Sequence, residues 1–229
     1  MTAALLRYRP APELARWGRG LRALAGQLAR GVLAAEEWPA AVADLCATLP
    51  AETVLAGFDL ARLEARSRSF GPGEHRIAAC LPEQPADAVL AVELALLTAG
   101  RAVPPHGRNN LAAVTLVLAG RGRLRLYDRV ADAAGAVLLR PVSDRLIGPG
   151  SCFGGAERGG NVQWLAAGGA PLVMLVLSVP IEGAGGFRHP CCRDGRLYLD
   201  PTGPVGEGGL IRAGLLEPRP AQLFFGAAP

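Results

Sequence analysis

From Pro12 onward the apolar residues Leu14, Trp17, Leu21, Leu24, Leu28 and Val32 recur at intervals of three and four. That spacing lays one apolar stripe along an amphipathic helix, and Pro12 stands where a first-turn proline would. Val42, Leu45, Cys46 and Leu49 predict a second helix, stopped at Pro50. After about residue 65 the period changes. Short apolar runs divided by Gly, Pro and Asp predict strands near 75–81, 88–98, 102–108, 112–119, 122–129, 136–140, 161–167 and 171–179. "RGRLRLYDR" is the plainest of them, with Leu124 and Leu126 on one face and Arg121, Arg123 and Arg125 on the other. Beyond residue 182 the chain is rich in Gly and Pro and reads as a surface wrap, with a short strand at "GRLYLD". The pattern predicts a mainly β protein with an N-terminal pair of α-helices. A helical segment over 1–64 packs on a barrel over 65–200, and a Gly/Pro-rich segment over 201–229 follows.

Composition narrows the class. The 229 residues can bury a full core, and the absence of a fixed-period repeat excludes a solenoid. All 24 basic residues are Arg, and the formal charge of +4 is spread along the chain rather than gathered against a polyanion. The arginine row of 121–125 raises a nucleic-acid partner, but period-two charge opposite an apolar face describes a solvated sheet surface, and no aromatic stacking platform accompanies it. No nucleic-acid partner is expected. The longest apolar run, "APLVMLVLSVPI" at 170–181, is too short to span a bilayer. The first residues lack the apolar core and cleavage site of a secretory signal, so a cytoplasmic protein with no membrane partner is expected. Five scattered cysteines, with no CxxC spacing, point away from a disulfide framework or a structural zinc.

The candidate chemistry centres on "VPPHGRNNL". His106 and Arg108 are two apart, so on an extended strand they point to the same side. Around them Gly100, five residues, His106-x-Arg108, four residues, Ala113, six residues and Gly120 form a fixed frame. The frame resembles the first motif of the cupin family, whose pattern runs Gly, His-x-His, Glu, Gly. Here the second His and the Glu are replaced. Within the cupins, "LALLTAGRAVPPHGRNNLAAVTLVLAGRGRLRLYDRV" resembles the cysteamine dioxygenase and plant cysteine oxidase family. "IGPGSCFGGAERGGNVQWLAAGGAPLVMLVLSVPI" is similar to that family's second half, and "GFRHPCCRDG" at 186–195 more faintly to its closing segment. The resemblance covers about 65–195 and implies a cupin double-stranded β-helix, a jelly-roll barrel, behind the helical front.

It also implies a site. In that family three histidines hold an iron on which a thiol and dioxygen meet. Here His106 keeps the first position, Arg108 takes the second and Gln163 of "GNVQ" the third. These three are the candidate catalytic residues, with His106 and Gln163 the candidate ligands of an Fe(II). Arg108 has no lone pair to offer, so the ligand set is incomplete and a metal-free state stands beside the iron one. His75, His189, Cys191 and Cys192 are further donors that a rearranged centre could recruit. Glu93 either pairs with Arg108 inside the barrel or faces solvent. Three readings stay open. The first is a divergent thiol dioxygenase. The second is a metal-free cupin that takes a small anionic molecule in the barrel, clamped by Arg108 with His106 as hydrogen-bond donor or general base. The third is a noncatalytic interaction module working through the 12–49 helices. In the bland alternative all three candidate residues simply line a pocket and are satisfied by neighbours.

Overall fold

The computed structural model describes residues 12–81, 89–108, 110–156, 159–181 and 196–228. The helical front runs α1 (Pro12–Ala29), α2 (Trp38–Cys46), α3 (Ala51–Leu55) and α4 (Leu60–Phe70). The β body follows as β1 (Glu74–Ala78), β2 (Ala91–Leu97), β3 (Ala102–Arg108), β4 (Leu111–Ala119), β5 (Gly122–Ala133) and β6 (Ala136–Ile147). It continues as β7 (Cys152–Gly155), β8 (Val162–Ala167), β9 (Leu172–Pro180), β10 (Arg196–Asp200) and β11 (Ile211–Leu216), before a last helix, α5 (Pro218–Phe225).

One antiparallel sheet has the order β1-β2-β9-β4-β7, and the other contains β3-β8-β5-β6. From β2 to β9 the chain crosses between the two facing sheets at every connection except the β5–β6 hairpin, the interleaved order of a jelly roll and the double-stranded β-helix expected. Strand β10 pairs with β3 and β11, and β11 pairs with β6, so the second sheet closes into a six-stranded ring. The surface wrap expected over 201–229 is thus partly a strand. Ile211 and Ala213 alternate inward onto Val137, Leu139, Leu197 and Leu199, and that short apolar alternation was diluted in the sequence by the glycines around it.

The period-two pattern sorts the core into layers. Between the sheets, Leu97, Val103, Val117, Leu124, Leu165 and Met174 pack into one apolar cluster. The opposite face of the first sheet carries Leu94, Leu116, Leu175 and Leu177 against the helices. There the stripe of α1 delivers Leu14, Trp17 and Leu21, and α2 adds Trp38 and Val42, all at most 3% exposed. Burying each such side chain is worth about 2 kcal/mol, so the helices belong to the same folding unit as the sheets. Three helices were not foreseen: α3, α4 and the C-terminal α5. α3 is only five residues long, and α4 buries Leu63 alone while Asp59 caps it through the backbone N–H of Arg62 at 3.0 Å.

The arginine row has local partners. Arg123 and Arg125 both donate to Asp144, at 2.6 and 3.0 Å, and Arg125 also stacks 4.4 Å above the Trp164 ring. Cys46, Cys80 and Cys152 are free thiols, and Cys191 and Cys192 lie outside the described residues. No helix among the described residues is long and apolar enough to cross a membrane.

Both glycines that frame the His106 motif have left-handed backbones, with φ of 67° at Gly100 and 82° at Gly120. They differ in room. A Cβ on Gly120 would lie 2.1 Å from the Pro171 carbonyl oxygen, whereas one on Gly100 meets nothing within 4 Å. Gly100→Ala is expected to cost about 1–2 kcal/mol for the backbone conformation, and Gly120→Ala distinctly more because the strand β9 backbone must also move. Urea denaturation of the two variants checks the order; equal losses would contradict it.

Candidate functional site

The interior face of the jelly roll is apolar over one half and charged over the other. Val103 on β3 pairs with Leu165 on β8, yet His106 pairs with Gln163, so three steps on β3 match two on β8. The extra residue is a β-bulge, and it turns His106 onto the same face as Val103 rather than the opposite one. Gln163, His106 and Tyr198 thereby stand side by side on β8, β3 and β10. The Tyr198 ring lies 6.1 Å from the imidazole, tilted by 46°. Arg108 and Arg196 pair two residues further along the same two strands.

The facing sheet brings carboxylates to these cations. Glu74 on β1 accepts from Arg76 Nη2 at 2.7 Å and from Arg76 Nε at 2.9 Å, and it meets Arg196 Nη2 at 2.7 Å with its other oxygen. Arg76 Nη1 donates to Glu93 at 2.7 Å. Glu93 thus lines the barrel as one alternative held, but its partner is Arg76. Burial pushes the Glu74 carboxyl upward; the Arg196 and Arg76 guanidiniums outweigh it and hold the group at about 2. The network borders a cavity of about 800 Å³, lined among others by Glu74, Arg76, Glu93, Arg101, Arg108 and Arg196.

Arg108 stands apart within this network. It is 9% exposed, and among the described residues its guanidinium makes no hydrogen bond and no ion pair within 4.0 Å. Burial, then the charges of Arg76 and Arg196, push it down to about 10, against the weaker pull of Glu74 and Glu93. Its backbone, by contrast, is fixed: the buried Asn161 amide donates at 2.7 Å to both the Arg108 and the Ala156 carbonyl oxygens.

His106 is 1% exposed and its Nδ1 lies 2.8 Å from the Pro104 carbonyl oxygen. A carbonyl only accepts, so Nδ1 carries the proton and the neutral ring offers a lone pair at Nε2. The Gln163 amide nitrogen faces that lone pair at 3.5 Å. His106 therefore has no free N–H, and the hydrogen-bond donor role expected for it is unavailable. Burial first, then Arg196 and Arg108, hold its pKa well below the ordinary value of 6.5.

The three candidate residues do come together, but not as an iron centre. Arg108 and Gln163 border a void of only about 10 Å³, together with Ala113, the position where the cupin motif has its Glu. That is about the space of one water. One imidazole, one amide that turns its nitrogen inward and one guanidinium do not make a donor set for Fe(II), and two further guanidiniums repel a cation there. Among the described residues no three His, Cys, Asp or Glu side chains group to hold an ion. His75, another candidate donor, gives its Nε2–H to the Gly71 carbonyl oxygen at 2.7 Å at the edge of the large cavity. His189 lies outside the described residues.

Glu74, Arg76, Arg101, Asn161 and Arg196 were not singled out in the sequence. A signal existed for two of them, since Glu74 and Arg76 flank His75 with strand alternation. Arg196 reaches the site only because β10 joins β3 across 88 residues.

No protein-family model and no curated protein matches the chain. Among solved structures, oxalate decarboxylase from Bacillus subtilis at pH 4.6 aligns at a TM-score of 0.38 and 16% identity, over 56% of this chain and 28% of that one. Procruciferin, an 11S globulin from Brassica napus, aligns at 0.37 and 14%, over 47% and 25%. KdgF from Halomonas sp. aligns at 0.36 and 16%, over 50% and 84%. The chain spans about a quarter of the storage globulin's length. The jelly roll rests on the strand order of this chain, and these similarities carry nothing about activity.

The buried imidazole sets a pH dependence. His106 stays neutral in the fold while the unfolded chain gains a proton below about pH 6.5, so stability falls as pH drops through that value, by at most about 1.4 kcal/mol per pH unit. Glu74, held near 2, adds a loss below about pH 4.5. His106→Gln should flatten the stability curve between pH 6.5 and 5 relative to the parent, as read from urea denaturation at each pH. Parallel curves for the two proteins would contradict it.

Proposed function

We propose that this protein binds a small anionic molecule, without a metal, in the cavity between the sheets, and that Arg108 is the group that meets the anion. One observation carries the reading: a guanidinium nine-tenths buried, bordering an 800 Å³ cavity, with no hydrogen bond or ion pair among the described residues. A buried charge without a partner is costly. The fall of Arg108 to about 10 is a loss of about 3 kcal/mol for its charged form. A carboxylate or phosphate oxygen placed on the planar fork restores that loss and adds charge-assisted hydrogen bonds. The Ser178 hydroxyl, on the same cavity, supplies a neutral contact.

Thiol oxidation, which the family resemblance implies, asks for a redox metal on three donors. The three positions carry an imidazole, a guanidinium and an amide, so the reading takes the scaffold of that family without its reaction. His106, neutral and with a depressed pKa, is a weak base at neutral pH, and the proposal is binding rather than turnover. The interaction-module reading finds little support in the helices, whose apolar stripe is closed against the first sheet.

Unpaired buried charge kept for a ligand makes the empty protein less stable than it need be. Arg108→Met is expected to raise the melting midpoint of the ligand-free protein by about 3 °C or more and to abolish the stabilisation by carboxylates seen in the parent. Differential scanning fluorimetry with a panel of small carboxylates checks both halves. A variant that melts lower and still responds to the same compounds would overturn the proposal.

A further inference from the structure

The cavity holds a second unsatisfied guanidinium, at its other end. Arg101, just before β3, has its Nε buried and without a hydrogen-bond partner among the described residues, and like Arg108 it borders the 800 Å³ cavity. The register separates the two. Arg101 donates its backbone N–H to the Thr98 carbonyl, and Thr98 donates to Gly73, so Arg101 belongs to the Gly73 end, near Gln222 of α5. Arg108 belongs to the Ser178 end, where Ser178 pairs with Ala91 and Ala113 and Leu111 pairs with Pro180. Along the strand the two Cα atoms are at most ~23 Å apart, and both residues line the cavity.

The charges of the lining residues balance unevenly. Glu74 and Glu93 are engaged with Arg76 and Arg196. Arg66 stacks on the exposed Phe70 ring at 4.9 Å, at the rim. That leaves two interior positive charges, Arg101 and Arg108, one at each end. A phosphate monoester would bring both of its charges to one end and leave the other cation unmatched.

Resting on the reading of Arg108 as an anion site, we infer that the ligand is a linear dianion with a carboxylate at each end, one on Arg108 and one on Arg101, its carbon chain lying along β1. Phe70, Pro72 and Leu111 supply apolar surface for that chain. Arg101 is then the residue that selects dicarboxylates over monocarboxylates and, through its distance from Arg108, sets the preferred length.

The test is isothermal titration calorimetry at pH 7.5 and low salt, with the α,ω-dicarboxylates from succinate to suberate and the monocarboxylates of matching length. One dicarboxylate is expected to bind about tenfold or more tightly than its monocarboxylate. Arg101→Gln should bring that ratio close to one. Arg101→Lys, which keeps the charge and loses the fork, should fall between, and circular dichroism confirms that each variant is folded. Arg108→Gln should weaken both ligand types. Equal affinities for mono- and dicarboxylates at every length, or a dicarboxylate preference that survives Arg101→Gln, would overturn this inference and leave the Arg108 reading standing. Binding of neither type to the parent protein would overturn both.

Discussion

A carboxylate held between two guanidiniums ties the open edge of this jelly roll together. Glu74 sits on the outermost strand of one sheet, and its bonds to Arg76 and Arg196 reach the β10 strand of the other. Neither sheet supplies the apolar residues there that fill the opposite half of the sandwich. Taking charges out of water costs several kcal/mol each, so this half can stay closed only where each charge finds an opposite one at close range. Glu74 and Glu93 satisfy Arg76 and Arg196. Their supply ends there, and Arg108 and Arg101 are left facing the cavity.

That electrostatic arrangement also decides what His106, Arg108 and Gln163 can do. An imidazole that is buried and then set between guanidiniums loses affinity for a proton and for a divalent cation alike, since both would add positive charge to a dry and already positive surrounding. Arg108 on the β3 strand offers only N–H donors, so with His106 and Gln163 it makes no ligand set for a cation. The turns at Gly100 and Gly120 that frame the motif depend instead on left-handed backbone conformation and, at Gly120, also on the close approach of the Pro171 carbonyl.

Much of the architecture was legible in the sequence because it follows from short-range rules. The stripe at three and four over 14–28, the alternation at 122–129 and the glycine spacing around His106 are each local, and each corresponds to a helix, a strand or a turn found in the fold, whereas Val32, the last member of the predicted stripe, lies beyond α1 and is exposed. The convergence of His106, Arg108, Ala113 and Gln163 on one place came from the motif frame, which encodes strand lengths and so the positions of residues across the barrel. The helices α3, α4 and α5 and the short strands β7 and β11 were not legible. Their segments carry too few apolar residues for a period to emerge, and they are held by contacts with parts of the chain far away.

What the sequence by itself determined was the class of fold and which side chains could meet near His106, because periodicity and glycine conformation act within a few residues. What only the tertiary structure decided was the charge state and pairing of that site. The bulge that sets the facing of His106, the arrival of Arg196 on β10, and the choice of Arg76 rather than Arg108 as the partner of Glu93 all depend on strands distant in sequence. Electrostatic energy depends on distances of a few ångströms and on exclusion of water, and neither exists until those strands have closed around the cavity.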